Sequence, residues 1–338
     1  MERLAALFPN GFTIVMASGI ISIDALKLGH AWVGGALFAV AIAAWLLACA
    51  AGVVRGRRDG RALGDALTHH ESGPGFLSLV AATAILGSLF AAFHVAAWLV
   101  TPLFGLSVLL WWITQYGFLA GVTERRTKPP LEAGLSGQWL LVVVATEALA
   151  SLGADIATSP ALAFVCYAWV LLGGVYYLLL GALVLYRFTF VAMPPEDLAG
   201  PWWINEGAAA ITVLAGGKLM TSGLSIGAFP LRDLLAPIIV IFWSDATFWI
   251  PLLLLLFAWK HLTRRRAFRY SMQQWSVVFP LGMYCAGTLE LERTYGLGFL
   301  HPLARAVFWI ALLGWCGAFV GAVRVVFNRD GTPRPAPG

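Results

Sequence analysis

Residues 275–288, WSVVFPLGMYCAGT, are apolar enough for a membrane helix but contain residues that disturb one. Pro280 has no N–H, and its ring clashes with the preceding turn, so we expect a helix break there, helped by Gly282. Broken helices at membrane depth are tolerated where protein or a water-filled cavity satisfies the backbone. The spacing i, i+4, i+7, i+11 puts on one helix face Trp275, Phe279, Gly282 and Ala286. A large ring among small residues predicts a constriction beside open space.

Three acidic residues, Glu147, Glu206 and Asp245, lie within or at the start of apolar segments. Ionisable side chains in a span are costly and indicate function by default. Glu147 shares a helix face with Ser151 and is the candidate for proton coupling, because a neutral carboxyl could load a proton together with an anion. Alternatively, it pairs with Lys218 or with an arginine at a span end and holds helices together. Asp245 is expected to be structural, and Glu206 receives no role.

Two serine motifs and one loop cluster could carry other chemistry. The sequence GLSG at Ser136 is similar to a motif of intramembrane serine proteases, and GLSIG at Ser225 fits a nucleophile elbow. Neither has a histidine deep in a later span to act as base, so a membrane-embedded serine hydrolase is the least favoured function. His69, His70 and Glu71 could bind a metal, but a solvated loop is favoured. We expect no catalytic residue, no cofactor and no metal.

The elements that position these residues are apolar helices. The chain is 60% hydrophobic and 12% charged with a mean hydropathy of +0.81, whereas soluble domains carry about 25% charged residues. A spanning helix needs roughly 20 mostly apolar residues, which predicts an all-α polytopic membrane protein with one domain, 1–327, and a disordered tail, 328–338. The predicted spans are 11–28, 31–54, 76–92, 95–121, 136–155, 160–185, 201–220, 234–261, 273–292 and 302–326.

The basic residues predict the orientation, because cytoplasmic loops are enriched in Lys and Arg. With both termini cytoplasmic, all but five of the 22 Lys and Arg residues fall on that side. The exceptions are Lys27, Lys218, Arg232, Arg293 and Arg305. The net charge of +5 therefore reflects topology and does not indicate nucleic-acid binding. We expect a multi-pass protein of a bacterial inner membrane whose partners are the lipid bilayer and a small solute.

Odd and even spans differ in composition. Odd spans are rich in Gly, Ala, Ser and Thr, which allow close approach or line a cavity, whereas even spans are bulky and suit lipid. This pattern predicts an inner ring of odd helices within an outer ring of even ones; a tight bundle without a lumen is the alternative. The candidate pore-lining residues are Val15, Ser18, Ser22, Gly87, Glu147, Ser151, Gly207, Ile211, Leu214 and Ala286.

Four stretches together resemble the tellurite-resistance/dicarboxylate transporter family, and the likeness covers nearly the whole chain. They are FPNGFTIVMASGIISI (8–23), PWWINEGAAAITVLAGGKL (201–219), FWSDATFWIPLLLLLFAWKHL (242–262) and WSVVFPLGMYCAGT (275–288). That family includes the slow-type anion channels of plant guard cells, fungal malate permeases and fungal sulfite exporters.

The resemblance implies a homotrimer with a pore in each protomer. Ten helices would form five hairpins in a quasi-fivefold arrangement, with odd helices lining a central pore and Phe279 matching the phenylalanine of the ninth helix that closes it. It implies transport of small anions, either dicarboxylates such as malate or inorganic anions, while tellurite resistance names a phenotype. A proton-coupled dicarboxylate carrier using Glu147 is the alternative. Glu206 and Asp245 depart from the family motifs, so no role passes to them.

Overall fold

The computed structural model describes residues 7–194, 197–198, 200–223, 226, 230–263 and 270–327. All regular structure in these ranges is helical. The ten long helices are α1 (Phe12–Lys27), α2 (Ala31–Arg58), α3 (Leu77–Ala92), α4 (Val100–Trp111, continued by Trp112–Tyr116 and Gly117–Glu124), α5 (Leu141–Ile156), α6 (Pro160–Phe190), α7 (Ile204–Thr221), α8 (Leu231–Ala258), α9 (Trp275–Tyr295) and α10 (His301–Phe327). The predicted disordered tail, 328–338, lies outside the described residues.

Seven helices, counted over the described residues, are long and apolar enough to cross a membrane. They are Ala31–Arg58, Gly73–Ala92, Ala97–Glu124, Gly137–Ile156, Pro160–Phe190, Leu231–Ala258 and Gly298–Val325. The remaining long helices are α1, which has 16 residues, α7, which carries Glu206 and Lys218, and α9, which carries Glu290, Glu292 and Arg293. Each predicted span coincides with one helix, so the all-α membrane class is confirmed. That α1, α7 and α9 also span the bilayer stays a prediction.

Burial separates odd helices from even ones. In the most apolar 18-residue windows of α3 and α5, 78% of residues are buried, whereas each even helix has 28%. Nearly all of α7 is buried as well. The exposed side chains of the even helices are large and apolar, such as Leu179, Leu255 and Leu313. The odd helices therefore form the interior, as their composition predicts.

The helix contacts follow a regular order. Each odd helix packs on the even helix that follows it, from α1 with α2 to α9 with α10. The odd helices also pack on one another in a closed cycle, α1–α3–α5–α7–α9–α1. Short 3-10 turns precede α3, α5, α7 and α9 at Gly73–Phe76, Gly137–Leu140, Gly200–Trp203 and Met272–Gln274. This order makes the five odd helices the candidates for enclosing a site.

Glycines allow these inner helices to approach closely. A Cβ atom on Gly207 of α7 would lie 3.0 Å from Cα of Pro280, and one on Gly282 of α9 would lie 2.7 Å from Ile20. The structure also corrects the expected helix break, because α9 continues without interruption from Trp275 to Tyr295 through Pro280. Gly207 of the neighbouring helix α7 lies against the proline ring, so the two helices can approach closely at this point.

Candidate functional site

A small cavity lies where the five inner helices begin. Its volume is about 70 Å³, and each inner helix, or the turn before it, contributes to the wall. The lining residues are Asn10, Thr13, Gly75, Ser78, Gln138, Leu141, Ile204, Met272, Gln273 and Ser276. Six of them have neutral polar side chains that can donate and accept hydrogen bonds. We call this cavity the polar pocket.

A larger cavity of about 860 Å³ adjoins the polar pocket and shares Asn10, Gln138 and Gln273 with it. Arg55 and Arg187 are among its basic lining residues. Arg55 donates to the carbonyl of Phe8 at 2.6 Å. These shared residues make the larger cavity a vestibule that leads into the polar pocket.

Arg187 is 3% exposed and is held in the vestibule wall by several partners. It donates to the carbonyl of Glu132, pairs with Asp197 at 3.5 Å and lies 5.5 Å from the ring centroid of Trp202. A buried guanidinium requires such pairing. Arg187 therefore fixes the wall of the vestibule by joining three separate segments.

Phe279 lies behind the polar pocket on the same side of α9. Ser276 lines the pocket, and Phe279, which is 2% exposed, follows three residues later. Pro280 faces Gly207 of α7, and Gly282 faces Ile20 of α1. Because successive helical residues turn by about 100°, the side chain of Phe279 points between these two neighbours. That Phe279 faces a path through the cycle of odd helices stays a prediction.

The serines predicted to line a pore on α1 bond to outer helices. Ser18 accepts a hydrogen bond from Trp315 of α10 at 2.9 Å, and Ser22 donates to the carbonyl of Gly34 of α2 at 2.7 Å. These bonds do not agree with the prediction that both serines line a pore. These two bonds connect α1 to its outer neighbours α10 and α2.

The other candidate pore-lining residues are all within the inner helices. A Cβ on Gly87 of α3 would meet Leu152 of α5, and Gly207 lies against Pro280. Both are therefore contact points between inner helices. The remaining candidates are buried side chains, namely Val15, Ser151, Ile211, Leu214 and Ala286. Their role as pore-lining residues stays a prediction.

Glu147 lies where α5, α6 and α7 meet. Thr212 of α7 donates to its Oε1 at 3.1 Å, and a Cβ on Gly173 of α6 would be 2.8 Å from its Cδ. Its Oε2 is buried and has no hydrogen-bond partner within the described part of the chain. The expected pairing of Glu147 with Lys218 is wrong, because Lys218 pairs with Asp155 at 2.7 Å.

Other buried acids have different surroundings. Asp24 of α1 and Glu206 of α7 are 0% exposed and without hydrogen-bond partners among the residues described. Asp245, expected to be structural, accepts a hydrogen bond from Tyr177 of α6. Sequence reasoning missed Asp24, although a single acid inside the apolar run IISIDALK was a signal that could have identified it.

The described residues among those considered for catalysis or metal binding form no constellation. The Oγ of Ser136 is buried without a hydrogen-bond partner in the described ranges, and Ser225 lies outside those ranges. His69 Nδ1 accepts the backbone N–H of Glu71 at 3.3 Å. Over the described residues, no group of three His, Cys, Asp or Glu side chains is arranged to hold a metal.

The pKa of His70, in the loop between α2 and α3, is lowered. Partial burial is the main cause, followed by the nearby charges of Arg125, His69 and Lys128. Desolvation and neighbouring positive charge both disfavour the protonated imidazole. The ring also lies 6.2 Å from that of Trp139, so this loop is packed against the turn that precedes α5.

Interior helices that surround a polar entry are typical of membrane transport proteins. Comparison with known proteins gives the family: the model of the SLAC1 family, described as voltage-dependent anion channel, matches residues 7–323. The chain belongs to this family, which confirms the resemblance stated above and implies anion transport.

The names of similar proteins describe them as membrane proteins or transporters. An uncharacterized membrane protein of Mycobacterium tuberculosis is 37% identical over 144 residues, which is 43% of this chain and 73% of the relative. Two uncharacterized transporters of Methanocaldococcus jannaschii are 23% and 22% identical over 157 residues, 46% of this chain. That match covers 44% and 43% of their own lengths.

Proposed function

We propose that the protein conducts small anions along the interior of the cycle of odd helices, through one pore per protomer, with Phe279 as the gate. One observation carries this proposal. The five odd helices pack in a closed cycle, and all five contribute to a polar pocket. Phe279 is buried three residues after Ser276, which lines that pocket. The phenyl ring of Phe279 would narrow the path at the point where an ion leaves the polar pocket.

The polar pocket favours anions for a physical reason. All five inner helices begin at it, at Phe12, Leu77, Leu141, Ile204 and Trp275. The first turn of a helix carries a partial positive charge from the aligned backbone dipoles. Five such ends around one cavity stabilise an anion without a basic side chain, in the way that selective pores use backbone dipoles.

The same packing supports the architecture expected of the family. Five helices that start at one cavity run in the same direction, so the even helices between them return, which gives five hairpins in a quasi-fivefold arrangement. We further propose a homotrimer in a bacterial inner membrane, with both termini and the vestibule cytoplasmic. Malate and other dicarboxylates, and inorganic anions such as chloride, nitrate and sulfite, are the candidate substrates.

Flux measurements in proteoliposomes test the proposal. Wild type, Phe279→Ala and Phe308→Ala are compared for chloride, nitrate, sulfite and malate at two pH values. Phe308 is the matched control, because it is 0% exposed but lies on the outer helix α10. We expect Phe279→Ala to raise flux about tenfold, as for a barrier lowered by about 1.4 kcal/mol, and Phe308→Ala to leave flux unchanged. Unaltered flux in folded Phe279→Ala would contradict the role of Phe279 as the gate. Absence of flux for every anion would contradict the proposed function.

A proton-coupled dicarboxylate carrier is the second candidate. The buried Glu147, whose Oε2 has no hydrogen-bond partner in the described ranges, favours it, because intramembrane acids of this kind serve as proton carriers. Malate uptake would then depend on a pH gradient and fall in Glu147→Gln but not in the control Asp245→Asn, because Asp245 accepts a hydrogen bond from Tyr177. Uptake that follows the malate gradient alone would exclude coupling.

A further inference from the structure

Polar bonds join all five inner helices near their last turns. Lys27 of α1 pairs with Glu290 of α9 at 3.3 Å, and Lys218 of α7 pairs with Asp155 of α5 at 2.7 Å. The hydroxyl of Thr221 of α7 lies 3.4 Å from Glu290, and Ser88 of α3 donates to Asp155 at 3.0 Å. We call this set the outer girdle: Lys27, Ser88, Asp155, Lys218, Thr221 and Glu290.

Helix geometry places the outer girdle on the path that begins at the polar pocket. Its four charged residues each follow a pocket-lining residue by 14 positions. The pairs are Thr13 and Lys27, Leu141 and Asp155, Ile204 and Lys218, and Ser276 and Glu290. Fourteen residues make nearly four helical turns and rise about 21 Å. Pocket and girdle therefore occupy the same helix faces at opposite ends of the bundle interior.

Between the two ends, these faces are apolar except on α1, where the buried Asp24 lies three residues before Lys27. Ile20, Ala148, Ile211 and Met283 lie seven residues after the pocket-lining positions, and each is buried. Phe279 belongs to this middle section. An ion that passes it would next meet the charged residues of the outer girdle.

The ammonium groups of the outer girdle are within reach of an ion. The side chains of Lys27 and Lys218 are 31% and 16% exposed. Lys27 also lines a cavity of about 420 Å³ together with Arg293 and His301. The Lys218–Asp155 pair is partly exposed on both members, so water screens and weakens it. A passing anion can therefore compete with the carboxylate for the lysine.

We propose that the outer girdle is an anion filter, in which Lys27 and Lys218 bind the permeating ion and Glu290 and Asp155 hold the two ammonium groups in place between passages. The two lysines belong to α1 and α7, which are not neighbours in the cycle, so they approach the path from different sides. This inference rests on the proposed function and assigns specificity-determining residues to the same path. The ligand is a small inorganic or carboxylate anion.

The two members of one ion pair give opposite predictions. In Lys218→Met the carboxylate of Asp155 loses its partner and repels anions, so the chloride-to-potassium permeability ratio should fall about threefold or more. In Asp155→Asn the ammonium of Lys218 is unopposed, so the ratio should rise by a similar factor. A merely structural pair would change the ratio in the same direction in both variants, because both break the same contact.

The experiment measures reversal potentials in planar bilayers under a KCl gradient, in the wild-type and Phe279→Ala backgrounds. Arg305→Met is the matched control, since Arg305 is an exposed basic residue of α10 outside the girdle, and its ratio should not change. Opposite shifts in the two Lys218–Asp155 variants support the filter. Shifts of the permeability ratio in the same direction, or no shift, overturn the filter but leave the proposed anion conduction unaffected. Absence of anion current in both backgrounds overturns the proposed function and this inference with it.

Discussion

The contact between α7 and α9 at Gly207 gives a prediction with a defined magnitude. An added Cβ would lie 3.0 Å from Cα of Pro280 and 3.1 Å from its Cβ and Cγ. The proline ring is rigid, so it cannot rotate away as a flexible side chain would. Overpacking of this kind costs about 1–3 kcal/mol, whereas alanine favours a helix over glycine by up to about 1 kcal/mol. Gly207→Ala should therefore lower the free energy of unfolding by up to about 2 kcal/mol.

Gly35→Ala is the matched comparison, because a Cβ at Gly35 of the outer helix α2 has no atom of another described residue within 4 Å. That variant should be neutral or stabilised by about 0.5–1 kcal/mol. Unfolding in mixed micelles with increasing sodium dodecyl sulfate, followed by tryptophan fluorescence, gives both values. Pro280 is next to the proposed gate, Phe279, so a displacement of the proline would also change anion flux. Anion flux is therefore measured on the same samples. Equal stability of Gly207→Ala and Gly35→Ala would refute the close packing of α7 and α9.

The remaining predictions concern a titration and a buried hydrogen bond. His70 has a lowered pKa in the folded protein, so the unfolded chain binds more protons below about pH 6.5. Stability should fall as pH decreases from about 6.5 through the folded pKa, and His70→Gln should flatten that dependence in melting curves; an unchanged slope would contradict the assignment. Trp111→Phe removes the 2.9 Å bond to Thr146 and should cost about 1 kcal/mol in the same micelle assay, with the exposed Trp112→Phe as control. Equal effects of the two substitutions would argue against that bond.

The helices were predictable because an apolar run of about 20 residues has few other stable forms in a bilayer. The rotation of an inner helix was not predictable in the same way. Ser18 and Ser22 share a face, but α1 has protein on every side, so no contrast between a polar and an apolar face shows which way that face turns. Their bonds to Trp315 and Gly34 depend on packing of distant segments.

The partner of Lys218 illustrates the same limit for charges. Glu147 stands only six residues beyond the beginning of α5, about 12 Å short of the depth of Lys218 in α7. Asp155 and Lys218 meet only because both stand 14 residues beyond the beginnings of their helices. The effect of Pro280 was also undetermined by sequence, since α9 continues through it next to the glycine of α7.

The closure of the inner cycle between α1 and α9 has a consequence for biosynthesis. Lys27 meets Glu290 at a sequence distance of 263 residues, and Ser18 meets Trp315 at a distance of 297. At a synthesis rate of about 5–20 residues per second, the first hairpin remains without these partners for roughly 13–60 s. During that time the side of α1 that later meets α9 must be covered by lipid, by the translocation machinery or by a chaperone. Ribosome-bound chains that end before α9 should therefore be the most susceptible to degradation at α1.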